Sequence, residues 1–259
     1  MEILLFFLLG AGVGIFGTLV GIGGGLICVP IFILWLTPSI FTNAPQVVGT
    51  SLVIVFLNAL SGTFAYIRQK RVFFNAAIPF AIATLPGAFF GSYIADRFNG
   101  DTLNVAFGAF LLLMAIIMYW NSSRKRGKEP SFNPQTFKYN KVLGILSSVL
   151  VGFLSSIFGI GGGIIHVPLM IYLLQFPTHV ATATSHFVLA VSSACGVFSH
   201  LILNHIIWLP AISIGLGALI GAQIGAKLSK KTRPKIILLL LSASMFALGI
   251  RLILLGTPS

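Results

Sequence analysis

A glycine-rich decapeptide occurs twice in the chain and limits how its apolar segments can fold. Residues 21–30 read GIGGGLICVP, residues 159–168 read GIGGGIIHVP, and both copies lie inside long apolar runs. Glycine in a helix interior costs about 1 kcal/mol relative to alanine, so three adjacent glycines interrupt a helix. Within a bilayer, such a break is tolerated only where its backbone is buried in protein or lines a polar cavity. The repeat therefore predicts two equivalent breaks at a shared internal site.

The composition indicates that these apolar runs are membrane segments. Of the 259 residues, 57% are hydrophobic and 8% are charged, whereas soluble domains contain about 25% charged residues. The runs are numerous and long enough to cross a bilayer several times, which predicts an all-α polytopic membrane protein. The net charge of +12 comes from basic residues in short loops between the runs. We therefore expect a lipid bilayer, and no nucleic acid, as the partner of the chain.

Two of the apolar runs, residues 3–36 and 141–175, are too long for a single span. A helix of such length would measure about 50 Å, whereas the hydrocarbon core is about 30 Å thick. Each run either crosses once as a broken helix or forms a hairpin that bends at the glycines. Single crossings would divide the 16 Lys and Arg residues ten to six between the two faces, whereas hairpins leave only Arg97 and Arg251 opposite the other 14. Because basic residues concentrate on the cytoplasmic side, we predict hairpins, with both termini outside the cytoplasm.

The duplication extends along the chain and predicts two inverted repeats, each a glycine-broken helical hairpin plus three transmembrane helices. The first repeat covers residues 1–120, a cytoplasmic linker covers 121–140, and the second repeat covers 141–259. Glycines four residues apart let helix backbones approach closely in lipid. The matched positions are Thr50-Ser51 with Thr184-Ser185, Ser61-Gly62 with Cys195-Gly196, and Gly87-xxx-Gly91 with Gly217-xxx-Gly221.

The acidic residues favour an anionic substrate. The chain contains four, all near the ends of spans or in loops: Glu2, Asp96, Asp101 and Glu129. Cation carriers and proton relays usually keep a carboxylate in the membrane interior. Half-helices that begin after the glycine breaks, near Leu26 and Ile164, would instead present N–H groups and positive dipole ends to an anion.

The histidines and cysteines predict no metal site, no cofactor and no disulfide. His179, His186 and His200 fall on one face of a helix. Successive members of this group are about two and about four helical turns apart, which is too far along the axis to share a metal. His186 directly follows the second Thr-Ser step and is the best candidate for contact with a substrate or a proton. Cys28 and Cys195 both lie in apolar runs, which predicts two small buried side chains.

The doubled motif G-[IV]-G-G-G-x-x-x-V-P, each time followed by a small-Thr-Ser step and a G-x-x-x-G helix, resembles the TauE/SafE family of sulfite exporters. A basic turn before an aromatic-rich span, RQKRVFF at residues 68–74, also resembles the family's pattern. The second copy departs there, because it reads LNHIIW at residues 203–208 and has no fixed positive charge. The resemblance covers essentially the whole chain. It implies export of sulfite or related sulfur anions, such as sulfonates, across the plasma membrane.

We therefore expect a secondary transporter, not an enzyme, that binds its substrate near the middle of the membrane. Glycine would let the backbone approach the anion closely, and the hydroxyl groups would donate hydrogen bonds to it. Two alternatives stay open: a passive anion channel with the same site, and a membrane redox protein that uses the histidines and cysteines. The predicted substrate-binding residues are Gly23, Gly24, Gly25, Thr50, Ser51, Gly161, Gly162, Gly163, Thr184, Ser185 and His186.

Overall fold

The computed structural model describes residues 2–32, 36, 40–42, 44–95, 100–123, 132–158 and 162–256. Within these ranges the regular structure is helical throughout, which confirms the predicted all-α fold. The helices are α1 Glu2–Val20, α2 Gly25–Ile31, α3 Ala44–Arg68, α4 Phe74–Ala95, α5 Gly100–Ser123, α6 Lys141–Phe158, α7 Gly163–Tyr172, α8 Thr178–Ile202, α9 Trp208–Lys231 and α10 Pro234–Gly256.

Six of these helices, α1, α3, α4, α8, α9 and α10, are long and apolar enough to cross a membrane. Shorter apolar stretches occupy Val105–Trp120 of α5, Lys141–Ser156 of α6, and α7. Large apolar side chains such as Phe89, Ile82 and Leu254 are more than half exposed on the outside of the helix assembly. A lipid environment accounts for such a surface, so the chain is a polytopic membrane protein.

Both decapeptides interrupt helices at the predicted places. Residues 21–24 separate α1 from α2, and α7 begins at Gly163. Gly21, Gly23 and Gly24 have φ angles of 90°, 77° and 84°, which glycine adopts without steric cost. The half-helices thus begin one residue before the predicted positions.

At each break the chain turns back along the helix that precedes it. In the second hairpin, Ser148 Oγ of α6 lies 3.0 Å from His166 Nε2 of α7. In the first, a Cβ atom on Gly24 would lie 2.5 Å from Val13 Cγ1 of α1. Residues this far apart in sequence cannot touch in a continuous helix, which rises about 1.5 Å per residue. The two long apolar runs therefore fold as hairpins.

The α3–α4 turn, the end of α9 and the residues just before α6 lie together at one end of the molecule. Arg71, in the α3–α4 turn, lies with its Nη2 3.2 Å from Ser229 Oγ near the end of α9. Tyr139, just before α6, donates a hydrogen bond from its hydroxyl to the Asn75 carbonyl at the start of α4. Single crossings of the long runs would place the end of α9 opposite the α3–α4 turn, so these contacts favour the hairpin arrangement. That this end faces the cytoplasm stays a prediction.

Helix packing repeats between the two halves. Helix α1 packs against α9 as α6 packs against α4, and α3 packs against α9 as α8 packs against α4. Helices α5 and α10 pair with each other, as do α3 and α8. If each helix is replaced by its equivalent in the other half, α1 by α6 and so on to α5 by α10, the same packed pairs result. This is expected of a pseudo-two-fold axis. The inversion of the repeats across a bilayer, and the repeat boundaries, stay predictions.

Within each matched segment, the residue numbers of equivalent positions in the two halves differ by a constant offset. The decapeptides define the offset between the hairpins, and the Thr-Ser steps define a slightly smaller one between the helices that follow. A Cβ atom on Gly87 would collide with the Val149 carbonyl, and one on Gly221 with the Ala11 carbonyl. Ala11 and Val149 are equivalent positions of the two hairpins, so the counterpart of Gly87 is Gly221. The predicted pairing of Gly87 with Gly217 is therefore wrong by one helical turn. Helix α9 carries glycine at three successive turns, so the sequence alone allowed either register.

Candidate functional site

The two glycine breaks lie against each other inside the helix assembly. A Cβ atom on Gly163, at the start of α7, would lie 2.6 Å from the Gly21 carbonyl oxygen and 2.9 Å from the Ile22 Cα. Backbones that approach so closely require glycine. Gly162 lies against Val151 of its own hairpin, and Gly161 falls outside the described residues. Breaks from opposite halves of the chain are thus neighbours in space.

Helix α8 presents a polar face to the first break. Thr182 lies against Gly21, because a Cβ atom on that glycine would be 2.7 Å from the threonine Cγ2. His186 is one turn further along, and Ser185 lies on the adjoining side of the helix. All three side chains of α8 are fully buried. The helical periodicity of α8 therefore places the predicted residues Ser185 and His186 at the first glycine break.

Four buried side chains from three helices form a hydrogen-bonded group beside this break, here called the central polar cluster. They are Thr18 of α1, Asn58 and Tyr66 of α3, and His186 of α8, each with 0% exposure. Thr18 Oγ1 donates to Asn58 Oδ1 at 2.6 Å and lies 3.3 Å from His186 Nε2. The Tyr66 hydroxyl donates to the Thr18 carbonyl at 2.5 Å. The cluster thus ties the first hairpin to α3 and α8.

Several polar atoms beside the break have no hydrogen-bond partner within the described structure. They are Asn58 Nδ2, Ser185 Oγ and His186 Nδ1. An unpaired buried donor or acceptor costs about 1–3 kcal/mol, so such atoms commonly serve a ligand or an ordered water. Asn58 Nδ2 faces the break directly, because a Cβ atom on Gly24 would lie 3.3 Å from it. The unpaired atoms therefore surround the backbone that the sequence predicted as a binding surface.

Each threonine of the two Thr-Ser steps accepts a hydrogen bond from a backbone N–H at the start of another helix. Thr184 Oγ1 accepts a hydrogen bond from the Phe73 N–H at 3.1 Å, just before α4. Thr50 Oγ1 accepts one from the Ile207 N–H at 3.0 Å, just before α9. These N–H groups have no partner within their own helices, so the threonines act as tertiary caps. A direct role for them in substrate binding stays a prediction.

The two serines of these steps differ from each other. Ser51 Oγ donates to the Val48 carbonyl at 2.9 Å within α3. Its counterpart Ser185 is buried and makes no hydrogen bond within the described structure. Of the two serines, Ser185 is therefore the one with a hydroxyl available to a ligand.

The second half has a pocket where the first half has the central polar cluster. The pocket joins a groove of about 630 Å³ between α4 and α8, with which it shares Gly196 and Ser199. Three of its lining residues occupy positions equivalent to cluster residues: Ser156 for Thr18, Ser192 for Asn58 and His200 for Tyr66. The same location is therefore filled in one half and holds a pocket of about 30 Å³ in the other.

The seam between α3 and α9, which is the counterpart of that groove, is closed. Gln223 Nε2 donates to both the carbonyl and the hydroxyl oxygen of Ser61 at 2.8 Å. The equivalent positions in the other half carry Phe89 and Cys195, which line the open groove. Cys195 is exposed there, whereas Cys28 is buried, and both are free thiols. The prediction of two buried cysteines is wrong for Cys195, because no helix of the described structure closes over its face of α8.

The three histidines on the face of α8 lie in separate surroundings. His179 Nδ1 lies 3.0 Å from Arg71 Nη2 at one end of the helix. His186 belongs to the central polar cluster, and His200 Nδ1 lies 3.3 Å from His205 Nδ1 at the other end. Within the part of the chain that the structure describes, no three His, Cys, Asp or Glu side chains converge as metal ligands would.

Sequence reasoning missed Thr18, Asn58 and Tyr66. Two local signals could have pointed to them. Asn58 is an amide within an apolar span, about two turns after Ser51, so the two share a helix face. Thr18 lies three residues before the first break, where any side chain must lie near the interrupted backbone.

Known proteins resemble the chain over nearly its whole length. A model of the family described as "Sulfite exporter TauE/SafE" matches residues 6–252. The chain belongs to the TauE/SafE family. Among TauE/SafE relatives, "Probable membrane transporter protein YunE" of Bacillus subtilis is 35% identical and is covered over 98% of both chains. A "Probable membrane transporter protein" of Methanocaldococcus jannaschii is 30% identical over 96% of this chain and 95% of its own. No solved structure matches.

Proposed function

We propose that this TauE/SafE protein is a secondary transporter that exports a small sulfur oxyanion, such as sulfite or an organosulfonate, across the plasma membrane. The observation that carries the proposal is the set of unpaired buried atoms beside the two meeting glycine breaks. Among the described residues, Asn58 Nδ2 and Ser185 Oγ are donors without acceptors, and His186 Nδ1 is unpaired next to them. Glu2, the one acidic side chain that the structure describes, is exposed and remote from this group.

An oxyanion suits these donors because it presents several acceptor oxygens at once. Each hydrogen bond to a charged partner is worth about 1.5–3 kcal/mol. The hydroxyl hydrogen of Thr18 is directed at Asn58, so His186 Nε2 is the donor in its contact with Thr18. Protonation of the remaining nitrogen, Nδ1, would then place a second donor and a positive charge beside the anion.

The difference between the two halves supports alternating access over a passive channel. The α3–α9 seam is closed by the Ser61–Gln223 hydrogen bonds, whereas the equivalent α4–α8 groove is open. In a transporter with pseudo-two-fold symmetry, two such seams exchange states and expose the central site to one face at a time. A channel needs a continuous path open at both ends.

The predicted orientation assigns a direction to this asymmetry. The basic end, with the α3–α4 turn, faces the cytoplasm, and the groove beside His200 lies toward the opposite face. The structure then corresponds to a state open toward the outside, from which the anion is released. The closed α3–α9 seam is the part that opens to load the anion from the cytoplasm.

Anion binding to the purified protein tests the proposal. We would titrate sulfite, thiosulfate, sulfate, sulfoacetate, phosphate and chloride by thermal shift and calorimetry against the wild type, Asn58→Asp and Asn133→Asp. Asn58→Asp keeps the acceptor for Thr18 but replaces the unpaired donor by a negative oxygen, so we expect anion binding to be lost. Asn133→Asp makes the same change at an exposed position and should bind as the wild type does. Wild-type affinity in a folded Asn58→Asp variant would contradict the assignment of the site.

A further inference from the structure

We propose that Arg71 forms a second anion site, at the mouth of the path, where the oxyanion binds before it reaches the central polar cluster. This inference rests on the proposed function and adds a residue that guides the anion to the path. Arg71 precedes α4 in the turn at the basic end of the molecule. Its side chain is turned inward between α3, α8 and α9, unlike that of the exposed Arg68 one turn earlier.

The guanidinium of Arg71 is held by neutral groups. Its Nη2 lies 3.0 Å from His179 Nδ1, 3.1 Å from the His179 carbonyl and 3.2 Å from Ser229 Oγ. Its Nη1 donates to Gln69 Oε1 at 3.1 Å. These contacts fix the plane of the guanidinium, but they provide no negative charge.

The half-buried charge of Arg71 lacks a counter-ion within the described structure. Removing a cation from water costs several kcal/mol unless an anion compensates for it. The Nε–H group is buried and has no hydrogen-bond partner among the residues that the structure describes. Burial lowers the pKa of Arg71 below its ordinary value, an effect that Tyr66 partly opposes. Because a guanidinium stays charged at neutral pH, this position carries an uncompensated positive charge that an anion would neutralise.

The donors that remain on Arg71 fit an oxyanion. Nε–H is unpaired, and the two hydrogens of Nη2 face three potential acceptor atoms. One of those acceptors can therefore be exchanged for an anion oxygen without leaving a donor unpaired. The Nε and Nη2 edge of a guanidinium binds two oxygens of one carboxylate, phosphate or sulfur oxyanion side by side. A halide has a single acceptor centre and cannot bridge this edge in the same way.

The contacts of Arg71 lead directly to the central polar cluster. Its Cζ lies 4.8 Å from the centre of the Tyr66 ring. The Tyr66 hydroxyl donates to the Thr18 carbonyl at 2.5 Å, and its ring meets that of His186 edge-on at 5.6 Å between centroids. One aromatic ring thus separates the mouth site from the central site.

The second half does not repeat this fixed charge. His205 occupies the position equivalent to Arg71, and His200 the position equivalent to Tyr66. The two imidazoles contact each other at 3.3 Å between their Nδ1 atoms. The arginine site is therefore a property of one mouth of the path, which suits loading of an anion at that end.

The test compares three variants in sulfite calorimetry and in sulfite efflux from proteoliposomes. Arg71→Gln removes the charge, Arg71→Lys keeps the charge but not the two-donor edge, and Arg68→Gln removes an exposed charge from the same turn. Loss of a charged hydrogen bond corresponds to a tenfold to hundredfold loss of affinity. We expect Arg71→Gln to raise the Kd and the KM by about that factor. Arg71→Lys should fall between it and the wild type, and Arg68→Gln should change both values less than about twofold.

Three results would overturn the inference. One is a folded Arg71→Gln variant whose Kd and KM match the wild type. Another is a lower Tm for both Arg71 variants with unchanged affinity of the folded fraction, which would make the residue merely structural. The third is an equal defect in Arg71→Gln and Arg68→Gln, because the loss would then follow from removing any positive charge from this turn and not from the guanidinium site. Failure of the proposed function is distinguishable from all three, since the wild type itself would then bind no anion.

Discussion

Asn58 and His186, which come from different halves of the chain, share one hydrogen-bond partner, the hydroxyl of Thr18. Thr18 Oγ1 lies 2.6 Å from Asn58 Oδ1 and 3.3 Å from His186 Nε2. With those atoms engaged, Asn58 Nδ2 and His186 Nδ1 have no partner in the part of the chain that the structure describes, beside the glycine breaks. The arrangement orients two polar groups that the fold itself does not use, as a binding site requires.

His186 should contribute to anion binding and little to stability. The equivalent position in the first half is Leu52, so a leucine at position 186 has a precedent in this fold. We expect His186→Leu to fold and to lower the affinity for sulfite about tenfold to hundredfold, because the protonated Nδ1, a donor to a charged partner, is lost. Calorimetry on monodisperse protein measures this, and an unchanged Kd would exclude His186 from the site.

Ser185 and Thr184 should have separable effects although they are adjacent. Ser185→Ala removes an unpaired hydroxyl, so we expect weaker anion binding with an unchanged or slightly higher Tm. Thr184→Val removes the acceptor of the Phe73 N–H, so we expect a loss of about 1 kcal/mol of stability and near wild-type affinity. Thermal unfolding and calorimetry on both variants check this. The opposite result would show that Thr184 binds the substrate and Ser185 does not.

Contact between the two glycine breaks should be sensitive to a single methyl group. Gly163→Ala would place its Cβ 2.6 Å from the Gly21 carbonyl oxygen, so the hairpins must separate. We expect a clear drop in Tm and loss of efflux. Gly12→Ala is the matched control, because nothing lies within 4 Å of its Cβ position. There, alanine should be neutral or stabilise helix α1 by up to about 1 kcal/mol. Equal behaviour of the two variants would contradict the close contact of the breaks.

The reactivity of Cys195 should report which seam is open. Cys195 is exposed in the α4–α8 groove and Cys28 is buried, so a maleimide should modify Cys195 alone, as a Cys195→Ser control would verify. Gln223→Ala removes the hydrogen bonds that close the α3–α9 seam. If the seams exchange states, this change should favour closure of the groove and slow the labelling of Cys195. Labelling at the wild-type rate would indicate that the two seams move independently.

Local sequence signals sufficed to predict the architecture but not the central polar cluster. Three adjacent glycines and the distribution of basic residues act locally, so the breaks and the hairpins could be read from the sequence. Thr18 and Asn58 are 40 residues apart, and their contact depends on how α1 packs against α3. The tertiary capping by Thr50 and Thr184 was missed for the same reason, since each donor lies in the other half of the chain.

Packing around the linker was also beyond sequence reasoning. Residues 121–140 were predicted only as a cytoplasmic linker, yet Phe137 packs against Phe176 with ring centroids 4.8 Å apart. Tyr139 joins the same aromatic group, which covers the end of the second hairpin. An aromatic side chain in a basic linker has no periodic pattern that predicts its partner, so this contact required the structure.

Sulfite counterflow in proteoliposomes tests the central claim most directly, namely that an anion crosses by alternating access through the site at Asn58. Vesicles containing the wild type and loaded with unlabelled sulfite should take up external radiolabelled sulfite transiently, faster than empty vesicles do. Vesicles with Asn58→Asp should show no such stimulation, whereas those with Asn133→Asp should match the wild type. Uptake by the wild type that is independent of internal sulfite, or full counterflow by folded Asn58→Asp protein, would contradict the account.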